Sequence, residues 1–283
     1  MPISDPDAYH FSIRFRLPDH YHFNSDEMLL QLDGGTANDR LQLCTTSSES
    51  LKNAKYLLLS GHGYADETSA AAASQRVRTA LSLAALESAL GIEIVKDQLR
   101  VWKGIQAIYL QMTSGNTTLV VGANPRIFCN RIGNWLDQNI TLTQQQSTCV
   151  DLLLDYHFDL SQRSRTLLAH AAIERLCGGP MEKDTEYVQA IYCLANAIRR
   201  ISNNPVLRDQ ICNDVLKLRF CGQTQRNRRV IGERLGEPRA LEYDQAAGQR
   251  HKIAHHGHKT SDQSWVLYRI ASDLLFNLLG DSP

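Results

Sequence analysis

Val188-Gln189-Ala190-Ile191-Tyr192-Cys193-Leu194-Ala195-Asn196-Ala197-Ile198 places Val188, Ile191, Ala195 and Ile198 at spacings of 3, 4 and 3, the period of a helix with one apolar stripe. The same period runs on both sides of it. Upstream, Leu167, Leu168, Ala171 and Leu176 belong to a helix that Gly178-Gly179-Pro180 stops. Downstream, beyond Asn203-Asn204-Pro205, a further helix repeats Leu207, Ile211, Val215 and Leu218. A last helix is expected from about Asp262 to Leu279, with Ser261 or Asp262 as its N-cap. From about Gln144 onward the chain therefore reads as an all-α bundle of about five helices.

Before that point the period is different. Tyr9-His10-Phe11-Ser12-Ile13-Arg14-Phe15-Arg16-Leu17 alternates apolar and polar, as a half-buried strand does. Met28–Leu32, Leu41–Thr45 and Lys55–Ser60 are further strand candidates, the first two separated by the turn-forming Asp33-Gly34-Gly35. Gly61-His62-Gly63 reads as a tight turn, followed by a long helix from about Asp66 to Leu90 with Gly91 just past its end. Thr118–Val121 is another strand candidate. The expected organisation is an α+β domain over 1–142, with a sheet backed by one long helix, and a helical bundle over 143–283.

Composition sets outer limits. Lys+Arg and Asp+Glu both number 30 in 283 residues, so no global field draws the chain to nucleic acid or to a membrane, and any steering is local. No stretch approaches the roughly 20 continuous apolar residues of a membrane span. The opening Met1-Pro2-Ile3-Ser4-Asp5-Pro6-Asp7 lacks the order of a signal peptide. The 7 cysteines show no CxxC spacing, which is the pattern of reduced core thiols in a cytoplasmic protein.

Near the C-terminus stands Tyr243-Asp244-Gln245-Ala246-Ala247-Gly248-Gln249-Arg250-His251-Lys252-Ile253-Ala254-His255-His256-Gly257. Arg250 is a permanent cation, and His255, five residues on, titrates near neutral pH. A histidine can move the proton of a ribose 2′-OH, and a guanidinium can hold the non-bridging phosphate oxygens. On a regular helix the two positions lie about 140° apart, so convergence asks for a helix that ends near Ala254. The same residues also fit a structural ion pair at Arg250 and a solvated helix end.

Arg250-His251-Lys252-Ile253-Ala254-His255 resembles the RxxxxH motif of the HEPN superfamily. The wider frame, Tyr243-x6-Arg250-x4-His255 with glycine following at Gly257, is similar to ApeA-like HEPN domains. Leu167-Leu168-Ala169-His170-Ala171-Ala172-Ile173-Glu174-Arg175-Leu176 resembles an early helix of those domains. The likeness covers roughly 145–283. It implies a metal-independent endoribonuclease whose two protomers pair through the motif helices, commonly a toxin or an antiphage defence effector. By position, Arg250 and His255 are then the catalytic pair and His251 the supporting polar residue. His256 also fits the looser family spacing, so either histidine can fill the catalytic place. The family includes members that act only as RNA-binding or dimerisation scaffolds. On this reading RNA and a second copy of the chain are partners, and the N-terminal domain meets a trigger protein or an antitoxin.

Three further features bear on function. Between Pro205 and Thr260 eleven Lys/Arg face six Asp/Glu, a local excess of +5. Arg226, Arg228, Arg229 and Lys252 in that stretch are candidates to follow a phosphate backbone, as much as to form an ordinary solvated face. His251, His255, His256 and His258 lack the glutamate of HExxH and any Cys/His partner spacing, so no metal or other cofactor is expected. Ser60-Gly61-His62-Gly63 lies where backbone amides can receive an anion, but without the lysine of a P-loop.

Overall fold

The structure, a computed structural model, describes residues 7–32, 40–46, 49–95, 100–104, 121–159, 161–179, 181–201, 205–256 and 263–280, with the backbone alone at 40, 100, 121, 199–201 and 249–256. An antiparallel sheet occupies the N-terminal half and most of the helices lie in the C-terminal half. The chain divides into two compact units, at Ala172/Ile173 inside one helix.

The first unit is built around β1 (Tyr9–Arg16). Its alternation sends Phe11, Ile13 and Phe15 into the core. β1 pairs antiparallel with β5 (Tyr56–Tyr64) along one edge. Along the other edge it pairs with the short β6 (Glu93–Ile94) and β7 (Arg100–Lys103). Outside β5 lie β4 (Arg40–Thr45) and then β3 (Leu29–Gln31). Helix α1 (Glu67–Glu87) begins where Asp66 accepts a hydrogen bond from the Ser69 amide at 2.7 Å, and it packs on β1 and β5.

α1 is the helix that packs on the sheet, and further helices pack on α1 in turn. α2 (Pro125–Asp137) also packs along α1, started by Asn124 as N-cap and proline at the first helical position. Arg131 of α2 donates to the Ser88 hydroxyl at 2.7 Å. Ahead of α2, β8 (Val121–Ala123) pairs in parallel with β2 (Tyr21–Phe23). α3 (Gln144–Phe158) opens with a capping box, Thr143 and Gln146 serving each other's backbone amides. α4 (Gln162–Leu176) follows.

Gly61-His62-Gly63 is not the turn the glycines suggest. β5 continues through it, with an irregularity at Gly63 opposite Tyr9 and His10 and with Gly61 opposite Phe11 on one side and Leu41 on the other. The reason is space. A Cβ at Gly61 would stand 2.4 Å from Phe11 Cε1, so only glycine lets the ring lie across the strand. Gly61 and His62 are paired with both neighbouring strands, so this stretch belongs to the sheet and not to an anion loop.

The second unit holds α5 (Thr185–Ile201), α6 (Pro205–Lys217), α7 (Gln223–Leu235), α8 (Glu237–His256) and α9 (Ser264–Gly280). From Gln144 onward the described residues form seven helices, α3 to α9, against the about five expected. Asp33-Gly34-Gly35 and most of Thr118–Val121 lie outside the described residues. No disulfide joins any of the cysteines, and Cys129, Cys149, Cys177 and Cys212 are buried. Burial pushes the Cys129 and Cys177 thiols up to about 12. Among the described residues no helix is long and apolar enough to cross a membrane.

Candidate functional site

α8, the helix of the Arg–His element, is held by α7 and α9. A single residue, Gly236 at φ +91°, joins α7 to α8. That backbone, with φ +91° and ψ 160°, is open in practice to glycine alone and lets the αα turn be this tight, and its amide donates to the Gly232 carbonyl at 3.1 Å. Inside the turn, Ile231, Ala240, Tyr243 and Ala246 are fully buried with Leu267, Ile270, Ala271 and Leu274 of α9. Asn227 Nδ2 donates to the Tyr243 hydroxyl at 2.9 Å within that interior. Arg239 donates to Asp273 at 2.7 Å, tying α8 to α9.

The backbone of α8 is helical through His256. Arg250, His251, Lys252, His255 and His256 all stand on this helix, and their side chains lie outside the described residues. The helix continues two residues past Ala254, where convergence of the pair is expected to need its end. Position 250 stands two turns after Tyr243, so the two share a side of the helix. Positions 250 and 255 stand about 140° apart, and positions 251 and 255 about 40°.

The arginines expected to track a phosphate backbone are engaged within the unit. Arg228 donates to Asp244 at 2.6 Å and also to Glu237, which clamps α7 to α8 across Gly236. Arg229 donates to Glu233 one turn along its own helix at 2.9 Å. Hydrogen bonds donated to these carboxylates hold both guanidinium groups above their ordinary range. Arg226 donates to the Gly179 carbonyl at 3.1 Å. Beside them opens a groove of about 740 Å³, lined by Lys183, Asp184, Tyr187, Arg228, Arg229, Glu233 and Glu237 among others. Cations and carboxylates alternate around it, so it is a mixed-charge surface and not a basic track.

Two histidine arrangements in the first unit are not legible in the sequence. Across β1 and β5, His10 and His62 face each other with their Nδ1 atoms 3.1 Å apart, and His10 lies 5.8 Å from Trp102, centroid to centroid. Burial lowers the pKa of both. One neutral ring donates and the other accepts, so protonating both breaks the contact. The second is His157 on α3, buried between Tyr21 and Tyr156. Burial first, then the Arg165 guanidinium and His20, lower its pKa to about 4. Both depend on strand pairing and helix packing, which the chain order does not reveal. Among the described residues no three His, Cys, Asp or Glu side chains gather as a metal site.

No protein-family model, curated protein or solved structure matches this chain.

Proposed function

We propose that the chain is a metal-independent endoribonuclease of HEPN type that works as a homodimer, in the role of a toxin or antiphage defence effector. What supports this reading is the Arg250-x4-His255 pattern itself, carried by α8 late in the mostly helical second unit, two turns past the buried Tyr243. His255 takes the proton of a ribose 2′-OH. The 2′-oxygen attacks the adjacent phosphorus, and the bond to the 5′-oxygen of the next nucleotide breaks. The products are a 2′,3′-cyclic phosphate and a 5′-hydroxyl that has gained a proton from a second imidazolium. Arg250 stabilises the extra negative charge on the phosphate. Two copies supply the separate base and acid that one histidine cannot provide at once. The first unit is where a trigger protein or an antitoxin would act.

A second reading is a non-catalytic RNA-binding or dimerisation scaffold. The continuation of α8 through His256 favours it, because the two positions then lie on different sides of one helix. Purified protein, a mixed RNA substrate and EDTA separate the two. The nuclease cuts in chelator, and both Arg250→Ala and His255→Ala lower the rate by about 100-fold or more. His256→Ala tells which histidine moves the proton. Cleavage that survives in both variants rejects the assignment.

A further inference from the structure

The stripe at Leu207, Ile211, Val215 and Leu218 has the spacing of a core face, yet in the folded chain it is largely uncovered. Leu207 is 50% exposed, Ile211 39% and Leu218, directly past the helix end, 51%. The only residue of α6 that is buried among those described is Cys212. On α5, Ile191 and Ala195 are buried, whereas Tyr187 and Leu194 are exposed. α5 and α6 pack against each other as an antiparallel hairpin, with the Cys212 thiol directed at the Ala195 carbonyl at 3.4 Å.

The base of this hairpin is closed. Glu182 and Phe220 form an antiparallel bridge, with Lys183 N donating to the Arg219 carbonyl and Cys221 N to the Met181 carbonyl, both at 2.8 Å. Arg219 pairs with Glu182 at 3.3 Å, lies over the Phe220 ring and donates to the Tyr192 hydroxyl at 2.9 Å. Tyr187 and Leu194 are seven residues apart, and Leu207, Ile211 and Leu218 are four and seven apart. Each set lies along one line of its helix. Both lines are offset in the same rotational sense from the residues that face across the hairpin, Ile191 and Ala195 on α5 and Cys212 on α6, and on antiparallel helices that brings them to the same side.

We infer that this face is an interface for a second copy of the same chain, with the two hairpins closing into a four-helix bundle about a two-fold axis. Three observations select that occupant. The exposed parts of these five residues amount to on the order of 500 Å² of mostly apolar surface, the size of patch that marks an interaction site and more than half of the roughly 800 Å² per partner of a standard interface. The charges of α6 are already paired on their own helix, Arg208 with Asp209 at 3.2 Å and Lys217 with Asp214 at 2.8 Å. Two copies of α6 thus bring no unpaired charge of their own to such a contact. A two-helix layer with an open apolar side is half of a four-helix bundle, and a two-fold axis supplies the same half again.

The contact is separate from the α8 pairing of the nuclease reading and does not rest on it. Light scattering on the full chain at micromolar concentration tests it. The unaltered protein has a mass of two chains or more. Leu207→Glu with Ile211→Glu on α6, and independently Leu194→Glu on α5, each halve that mass with an unchanged circular dichroism spectrum. Met28→Glu, equally exposed in the first unit, leaves it unaltered. A single-chain mass for the unaltered protein, or an unchanged mass in both hairpin variants, overturns the inference. Loss of cleavage in Arg250→Ala with the mass of the hairpin variants unmoved would sink the hairpin contact and leave the nuclease reading standing.

Discussion

Asn227 of α7 and Tyr243 of α8 meet side chain to side chain at 2.9 Å, in an interior that neither shares with solvent. The amide needs an acceptor there and the phenol supplies it. Removing one partner leaves the other buried and unsatisfied, which costs more than the bond itself contributes. Tyr243→Phe is expected to lower the unfolding free energy by about 1–3 kcal/mol. Adding Asn227→Leu to it recovers part of that loss. Urea unfolding measures both, and a Tyr243→Phe midpoint equal to that of the unaltered protein would refute the role of this pair in holding the motif helix.

The buried His157 makes stability depend on pH in a defined direction. Its pKa is about 4 in the folded chain against an ordinary 6.5. Between those values the unfolded chain binds a proton that the folded chain does not, so stability is complete above about pH 6.5 and declines as pH falls towards 4. For this one group the full decline is about 3 kcal/mol. Desolvation lowers His10, His20 and His62 as well, and they add in the same sense. The His157→Gln protein is expected to lose less stability between pH 7 and pH 4.5. An unchanged dependence rules out His157 as the main source.

Gly61 is expected to tolerate no side chain. Gly61→Ala sets a methyl group against the Phe11 ring and also 2.8 Å from the Tyr64 hydroxyl. Overpacking of this kind costs about 1–3 kcal/mol. Gly63, where a Cβ would meet nothing within 4 Å, has φ +92°, so alanine there is strained by its backbone alone. The two changes are distinguishable. Gly61→Ala recovers when paired with Phe11→Leu, whereas Gly63→Ala does not, as thermal melts of the single and double variants would record.

These positions also mark how far the sequence can be read. The alternation in Tyr9–Leu17 and the Asp66 cap are legible because strand period and helix capping are local. Gly61 misleads because a glycine signals a turn unless the ring that needs its space is known, and Phe11 is fifty residues away. The α2 start is present in Asn124-Pro125, but only helix packing shows that it joins α1. The repeat at Leu207, Ile211 and Leu218 correctly gives the apolar side of α6, and period alone does not say what covers it. The order Arg250-x4-His255 is likewise plain as a pattern. Whether two groups on it converge depends on where α8 stops and what stands opposite, and neither is a property of spacing. Arg228 and Arg229 count as local positive charge until Asp244, Glu237 and Glu233 are found beside them.

The place of β1 in its sheet has a bearing on how the chain matures. β1 is flanked on one side by residues 56–64 and on the other by residues 93–94 and 100–103, all of them later in the chain. Neither edge can be satisfied until those later segments have been synthesised, and each closure spans a long loop. The α7–Gly236–α8 turn, by contrast, joins neighbours in the chain. The two pairings therefore form under opposite constraints, β1 waiting for distant strands and the α7–α8 turn closing almost as it emerges.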